Sequence, residues 1–215
     1  MVKQLFRVLI ASAILLAGVL AAGAEAAEQT PTTADAWFFR GGELASQGAL
    51  EAAHNAFSKA IEMNARMAEA FVSRGMVHER LRRTKEAIAD YTSALAINRN
   101  FAQAYNNRGM VLFRGQRFQP ALDDLSEAVS LDGNNSSYRA NRAAVYARLK
   151  NYDKAIADYT AAVLIDPDNA DAYAGRGAAH YSRGDRSKAV TDLKLACSRG
   201  SEAGCRSLKA VNGRK

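Results

Sequence analysis

Proline, histidine and cysteine are all scarce in this 215-residue chain, with 3, 3 and 2 residues. So little proline excludes collagen-like and proline-rich linker architectures and leaves long stretches free to be helical. Two cysteines exclude a disulfide-dense miniature scaffold. Without a C-x-x-C spacing or a His/Cys/Asp cluster they give no redox or metal signature. The three histidines, His54, His78 and His180, are scattered, and no G-x-S-x-G, H-E-x-x-H or phosphate-cradling glycine loop occurs. The chain is expected to be no enzyme, with no cofactor and no metal. Charge of one sign is modest too: Lys+Arg 29 against Asp+Glu 22 gives +7, short of a nucleic-acid-binding field. No apolar run reaches the roughly 20 residues that a membrane span needs.

What is present begins with an export pattern. Lys3 and Arg7 precede an uncharged run from Val8 to Leu20, which ends in Ala22-Gly23-Ala24 and then Ala24-Glu25-Ala26. A charged start, a short apolar run and small-x-small endings predict a signal peptide over 1–24, with cleavage after 26 as the second option. An uncleaved anchor is the competing reading. No cysteine follows the run to carry a lipid, and no twin-arginine pair precedes it. Cleavage removes Lys3, Arg7 and no acid, which brings the +7 down to +5. A periplasmic protein with no membrane span in the mature chain is expected; a secreted one is the alternative. Residues 25–33, with Pro31, read as a polar lead-in.

From there the chain repeats. Gly41, Gly75, Gly109 and Gly177 stand 34 residues or a multiple of 34 apart, with Ala143 in the missing place. Counted in units 34–67, 68–101, 102–135, 136–169 and 170–203, this is position 8. Alanine recurs at position 20 (Ala53, Ala87, Ala121, Ala155, Ala189) and at position 27 (Ala60, Ala94, Ala128, Ala162, Ala196). Between them, at position 24, stand Phe57, Tyr91, Leu125, Tyr159 and Leu193. Trp37, Phe71, Tyr105 and Tyr173 occupy position 4. Small residues at fixed places let two antiparallel helices approach closely, and the large ones fill the spaces beside them. The apolar spacing is helical throughout, as in Ala155, Ile156, Tyr159, Ala162 and Val163. The repeat predicts an all-α solenoid of five antiparallel helix pairs.

The period and its recurring positions resemble the tetratricopeptide repeat family over residues 34–203. "AYNNRG" at 104–109 and "KAIADYTAAVLIDPDNADAYAGRG" at 154–177 are similar to that family's unit junctions. The resemblance implies a right-handed superhelix. Two departures stand out: Arg139 occupies the aromatic position 4 of the fourth unit, with Tyr138 beside it as its substitute, and only that unit keeps a turn proline, Pro167. His78 and His180 fall at position 11, where the family has an aromatic, and read as ring substitutes.

Position 7 is arginine in all five units (Arg40, Arg74, Arg108, Arg142, Arg176), and position 23 is aspartate in four (Asp90, Asp124, Asp158, Asp192). Pairing within each unit uses every aspartate and sets Arg40 opposite Ala56. Pairing with the following unit uses fewer residues, so the within-unit ladder is favoured. An anion-binding arginine row is the competing use of the same residues. Cys197 and Cys205, eight residues apart in "LACSRGSEAGCRSL", resemble the corner of cysteine-rich secreted helical-repeat proteins. With an export signal they are expected to form a disulfide, or two free thiols if export is wrong. Residues 204–215 are predicted to form a cap helix and tail, with Asn212 to Lys215 frayed.

In the family, positions 2, 5, 9, 12 and 13 of the first helices line a concave groove that binds protein partners. Carried over, these positions include Phe38, Val72, Met76, Arg80, Asn106, Met110, Phe113, Arg114, Arg148 and Tyr181. The expected floor is apolar and adaptable, with Arg80, Arg114 and Arg148 as a basic edge, suited to an extended peptide or an amphipathic helix. The lysine and asparagine of the family's carboxylate clamp are missing from positions 5 and 9. The resemblance implies a non-enzymatic interaction scaffold; with the export pattern and the modest charge, a scaffold of the cell envelope that binds an envelope or exported protein and no nucleic acid is expected. The alternative is an adaptor that holds an anionic envelope polymer or lipid on its arginine rows.

Overall fold

The computed structural model describes residues 30–213. The predicted signal peptide and most of the predicted lead-in, together with the last two residues of the tail, lie outside the described residues. Five helix pairs follow one another. The first helices are α1 (Ala34–Ser46), α3 (Ala68–Arg80), α5 (Ala102–Arg114), α7 (Ser136–Arg148) and α9 (Ala170–Ser182). Their partners are α2 (Leu50–Met63), α4 (Thr84–Ile97), α6 (Phe118–Leu131), α8 (Tyr152–Ile165) and α10 (Arg186–Ser198). A last helix, α11 (Glu202–Gly213), covers the end of the stack. Among the described residues there is no strand. No helix among them is long and apolar enough to cross a membrane.

The helices start and stop where local chemistry dictates. Thr33, Asn135 and Asn169 accept the backbone N–H three residues on and so cap α1, α7 and α9. Each first helix ends in the same left-handed turn at position 15: Gly48, Arg82, Gln116, Lys150 and Gly184 all have positive φ. There the N–H of position 16 reaches back to the carbonyl of position 11, as Arg83 does to His78 (2.8 Å) and Asp185 to His180 (2.8 Å). That 6→1 bond closes the orphan carbonyls and reverses the chain into the second helix.

The core is a column of small residues. All ten alanines at positions 20 and 27 are fully buried, at 0 % exposure. Tyr91, Leu125 and Leu193 fill the space between them. At Gly75 an added methyl would lie 2.7 Å from the Tyr91 ring, so the glycine sets how closely α3 approaches α4. Where Ala143 replaces that glycine, the neighbouring tyrosine, Tyr159, instead packs over Gly175 of the next unit.

Each second helix packs on the first helix of the next unit, and neighbouring first helices also touch one another. Neighbouring second helices do not touch, so the stack bends with its first helices on the inside. At the far end α11 packs on α9 and α10. It begins at Glu202, where the Ser201 hydroxyl receives the Gly204 N–H (3.2 Å) and caps its first turn. Asn212 and Gly213, both exposed, are the last two described residues of this helix, and the Val211 before them is buried, its carbonyl accepting from Arg186 (2.7 Å).

Candidate functional site

Running through the stack is an arginine–aspartate ladder. Nε and Nη2 of Arg74, Arg108, Arg142 and Arg176 donate to both oxygens of Asp90, Asp124, Asp158 and Asp192 at 2.7–2.9 Å. The aspartates are 5–7 % exposed. The bidentate fork matches the carboxylate plane, which is the arrangement in which such a pair is strong. Its hydrogen bonds push the Arg108, Arg142 and Arg176 guanidiniums up from their ordinary values. The third nitrogen does something the spacing did not suggest: Nη1 of Arg74, Arg108 and Arg176 donates to Ser58, Thr92 and Thr160 of the preceding unit. The signal was present, since position 25 is a hydroxyl residue in the first four units.

An aromatic ring lies under each of these guanidiniums: Phe71, Tyr105 and Tyr173 at position 4, at 5.3–5.9 Å. In the fourth unit the ring comes from Tyr146 at position 11, not from Tyr138; Arg139, at position 4, donates to the Gly133 carbonyl (2.7 Å) and comes within 3.8 Å of Asp158. Arg40, set opposite Ala56, pairs with Glu43 (3.2 Å). His78 and His180 are more buried than ring substitutes on a half-exposed face would be, and their Nε2 atoms stand 3.6 and 4.0 Å from Asp90 and Asp192. Burial holds both imidazoles below the ordinary histidine range, while the aspartates pull the other way. Their Nδ1 atoms have no hydrogen-bond partner. Among the described residues no group of acids, histidines or cysteines is arranged to hold a metal.

On the inner side the structure sorts the expected groove residues into three kinds. Val72, 3 % exposed, is not a groove residue: it packs with Ala87, Tyr91 and Ala104 between the second and third units. Phe38, Met110 and Phe113 are half-buried supports, with Phe38 against Phe57 and Phe113 against Phe118 at ring distances of 5.8 and 5.9 Å. Met76 is open, at 44 % exposure. Asn106 accepts from Asn141 of the next unit (2.8 Å), so it too ties units together.

The arginine edge is largely engaged. Arg80 donates to the Ala45 carbonyl of the first unit (2.7 Å), and Arg114 is ion-paired with Glu79 of the second. Glu79 also receives the Tyr91 hydroxyl, an acceptor role that its position alone did not reveal. Arg148 lies over the Phe118 ring (5.7 Å), with no ion pair among the described residues. Beside it a cavity of about 280 Å³ opens between α5, α7 and α9, lined by Phe113, Ala144, Arg148, Tyr152 and Ala178. Tyr159 forms its floor, and burial pushes that phenol up to about 12. Tyr181 belongs to a separate hollow of about 180 Å³ that the end of α11 covers in part, with Ser207 and Ala210. Tyr152 and Ala178 were missed, although Ala178 sits at position 9, among the groove positions. At the far end of the chain Cys197 and Cys205 form a disulfide, with Cα atoms 4.6 Å apart.

A curved stack of helix pairs with a ladder inside and an apolar hollow on its inner face defines a protein-interaction scaffold. The chain belongs to the tetratricopeptide repeat family. Tetratricopeptide repeat profiles match residues 43–104 and 102–135, and a TPR repeat profile matches 148–184. No curated protein sequence matches the chain. Solved structures do. YrrB, described as a TPR protein with an unusual peptide-binding site, is 25 % identical over 86 % of this chain and 97 % of its own, with a TM-score of 0.68. PilF of Pseudomonas aeruginosa shares 22 % identity over 84 % and 85 %, with a TM-score of 0.74. MamA of Desulfovibrio magneticus RS-1 shares 16 % over 86 % and 99 %, with a TM-score of 0.70.

Proposed function

We propose that this protein is a non-enzymatic scaffold of the cell envelope that holds an extended or helical segment of an exported protein on its inner face. The hollow between α5, α7 and α9 carries the reading. Phe113, Ala144 and Ala178 offer an apolar wall, and Arg148 stands at the rim without a carboxylate partner. An apolar anchor with an acidic neighbour is the segment that this pairing selects. YrrB, with its peptide-binding site on the same kind of scaffold, supports the reading. The disulfide supports an oxidising compartment, as an export signal over 1–24 requires. A site for an anionic polymer or lipid has less to use, because the ladder arginines are spent on aspartates and Arg80 and Arg114 on acceptors within the chain.

Crosslinking in the native compartment, followed by mass spectrometry of the adduct, tests the proposal. A protein adduct on α5, α7 or α9 is expected, lost when Ala144→Trp fills the hollow and weakened by Arg148→Glu. Recovery unchanged by both substitutions refutes the groove. A mature chain that still begins at Met1 refutes export.

A further inference from the structure

Two of the five units carry tyrosine at position 24, and the two hydroxyls meet different surroundings. Tyr91 is fully buried, and its hydroxyl donates to Glu79, at position 12 of the same unit. Asn107, at position 6 of the next unit, hydrogen-bonds the same phenol. Glu79 is in turn ion-paired with Arg114. The buried phenol is thus satisfied by a carboxylate that a guanidinium neutralises.

Tyr159 is 7 % exposed and has neither partner. Position 12 of its unit is Ala147 and position 6 of the next is Gly175, so both polar side chains are missing. Its hydroxyl makes no hydrogen bond among the described residues, and burial is the one cause that pushes the phenol up. The end of the ring lies against Gly175: a methyl added there would stand 2.6 Å from the hydroxyl oxygen. Ala147 and Gly175 both line the hollow between α5, α7 and α9, so this hollow takes in the places that Glu79 and Asn107 hold two units earlier. A buried hydroxyl without an acceptor costs free energy, and no contact within the chain gains from it.

We propose that the segment bound in the hollow supplies the missing carboxylate: an acidic side chain of the partner enters beside Ala147 and Gly175, accepts the Tyr159 hydroxyl and faces Arg148. The proposal rests on the groove reading and adds what the segment must carry and how deep it must reach. The Tyr91–Glu79–Arg114 set is its template within the same molecule, with Tyr159 as the donor and Arg148 as the cation. Ser182, which stands at the repeat place of Arg114, adds a second hydroxyl to the wall. A carboxylate leaves water only where donors and a cation receive it, and this hollow has both. The segment's apolar neighbour then packs on Phe113, Ala144 and Ala178. An apolar side chain reaching the floor would leave the Tyr159 hydroxyl unpaired, so Tyr159 selects for acid there.

Chemical-shift titration of the full chain with two capped tripeptides tests this: acetyl-Leu-Glu-Leu-amide, and acetyl-Leu-Met-Leu-amide, which has a side chain of similar reach and no carboxylate. The glutamyl probe should bind in the millimolar range expected of so small a ligand and shift the Tyr159 Cζ resonance. The methionyl probe should bind about tenfold more weakly, as loss of a charge-assisted hydrogen bond implies. Tyr159→Phe should weaken the glutamyl probe by about the same factor and bring the two probes together. That variant should melt with the wild type, because its hydroxyl has no partner to lose, whereas Tyr91→Phe should melt lower. Ala147→Glu restores a carboxylate at position 12 and should displace the glutamyl probe. A wild type that binds neither probe, or both equally, overturns the proposal, and so does a Tyr159→Phe variant that keeps the preference for glutamate. In each of those cases the groove reading still stands if Ala144→Trp removes the native adduct; it falls only if the adduct persists.

Discussion

Removing one carboxylate from the ladder should cost far more than a surface ion pair does. Asp124 is 7 % exposed and receives Nε and Nη2 of Arg108, both at 2.8 Å. Asp124→Ala deletes both charge-assisted bonds and leaves the guanidinium facing a methyl. Breaking a fully buried pair costs about 3–5 kcal/mol. The Arg108 side chain is 22 % exposed and can recover some water, which brings the expected loss to about 2–4 kcal/mol. For a chain of this size that corresponds to a fall in Tm of roughly 5–12 °C. Thermal unfolding followed by circular dichroism reads it directly. A cycle with Arg108→Met, Asp124→Leu and the double variant separates the pair from its burial. The double variant should recover most of the loss, because no charge is then stranded. Replacing both groups with apolar ones is often neutral, so the cycle measures coupling rather than net worth. If Asp124→Ala melts with the wild type, the ladder contributes nothing and the argument from its geometry fails.

Three further outcomes follow from the same structure. At the left-handed turn, Arg82→Gly, Gln116→Gly and Lys150→Gly should each stabilise by about 0.5–1 kcal/mol, because φ of 58–61° strains any side chain with a Cβ; a triple variant with an unchanged urea midpoint refutes this. Reducing the Cys197–Cys205 disulfide should loosen α11 and lower stability by about 2–3 kcal/mol, as closing so short a loop implies; hydrogen exchange that stays equally slow across α11 after reduction counts against the staple. Acid should destabilise the fold through His78 and His180, whose folded pKa values lie below the unfolded value of about 6.5. The unfolded chain then binds more protons as the pH falls through about 6.5, so stability drops on that side and levels off above it. The urea midpoint should fall between about pH 7.5 and 5.5, and less so in a His78→Phe, His180→Phe variant; equal slopes in the two proteins refute the assignment.

The architecture was legible because packing repeats it. Ten alanines and four of five position-8 glycines recur at one period, and each marks a place where two backbones approach too closely for a larger side chain. The arginine–aspartate register was legible for the same reason, as both partners recur. What the sequence hid were contacts made once, or made between units. Val72 and Asn106 share position 5, yet one is core and the other a bridge to Asn141, because what faces that position depends on the neighbouring unit. Arg80 and Arg114 read as a free basic edge until the Ala45 carbonyl and Glu79 were placed beside them. A repeat position fixes which way a side chain points, and the residue waiting there is set by a different stretch of chain.

The two ends of the stack are not equivalent. Behind α10 the disulfide and α11 occupy the surface where another pair would dock. In front, Trp37, Leu44 and Ala56 of the first unit border a hollow of about 390 Å³, which Arg40, Asn55 and Lys59 also line and which, among the described residues, Thr30 and Pro31 of the lead-in adjoin. A designer who wished to lengthen this scaffold would therefore splice new units ahead of α1, where no helix among the described residues stands in the place that α11 takes at the other end. Units appended after α11 would meet a polar helix and would hang from it as a separate body.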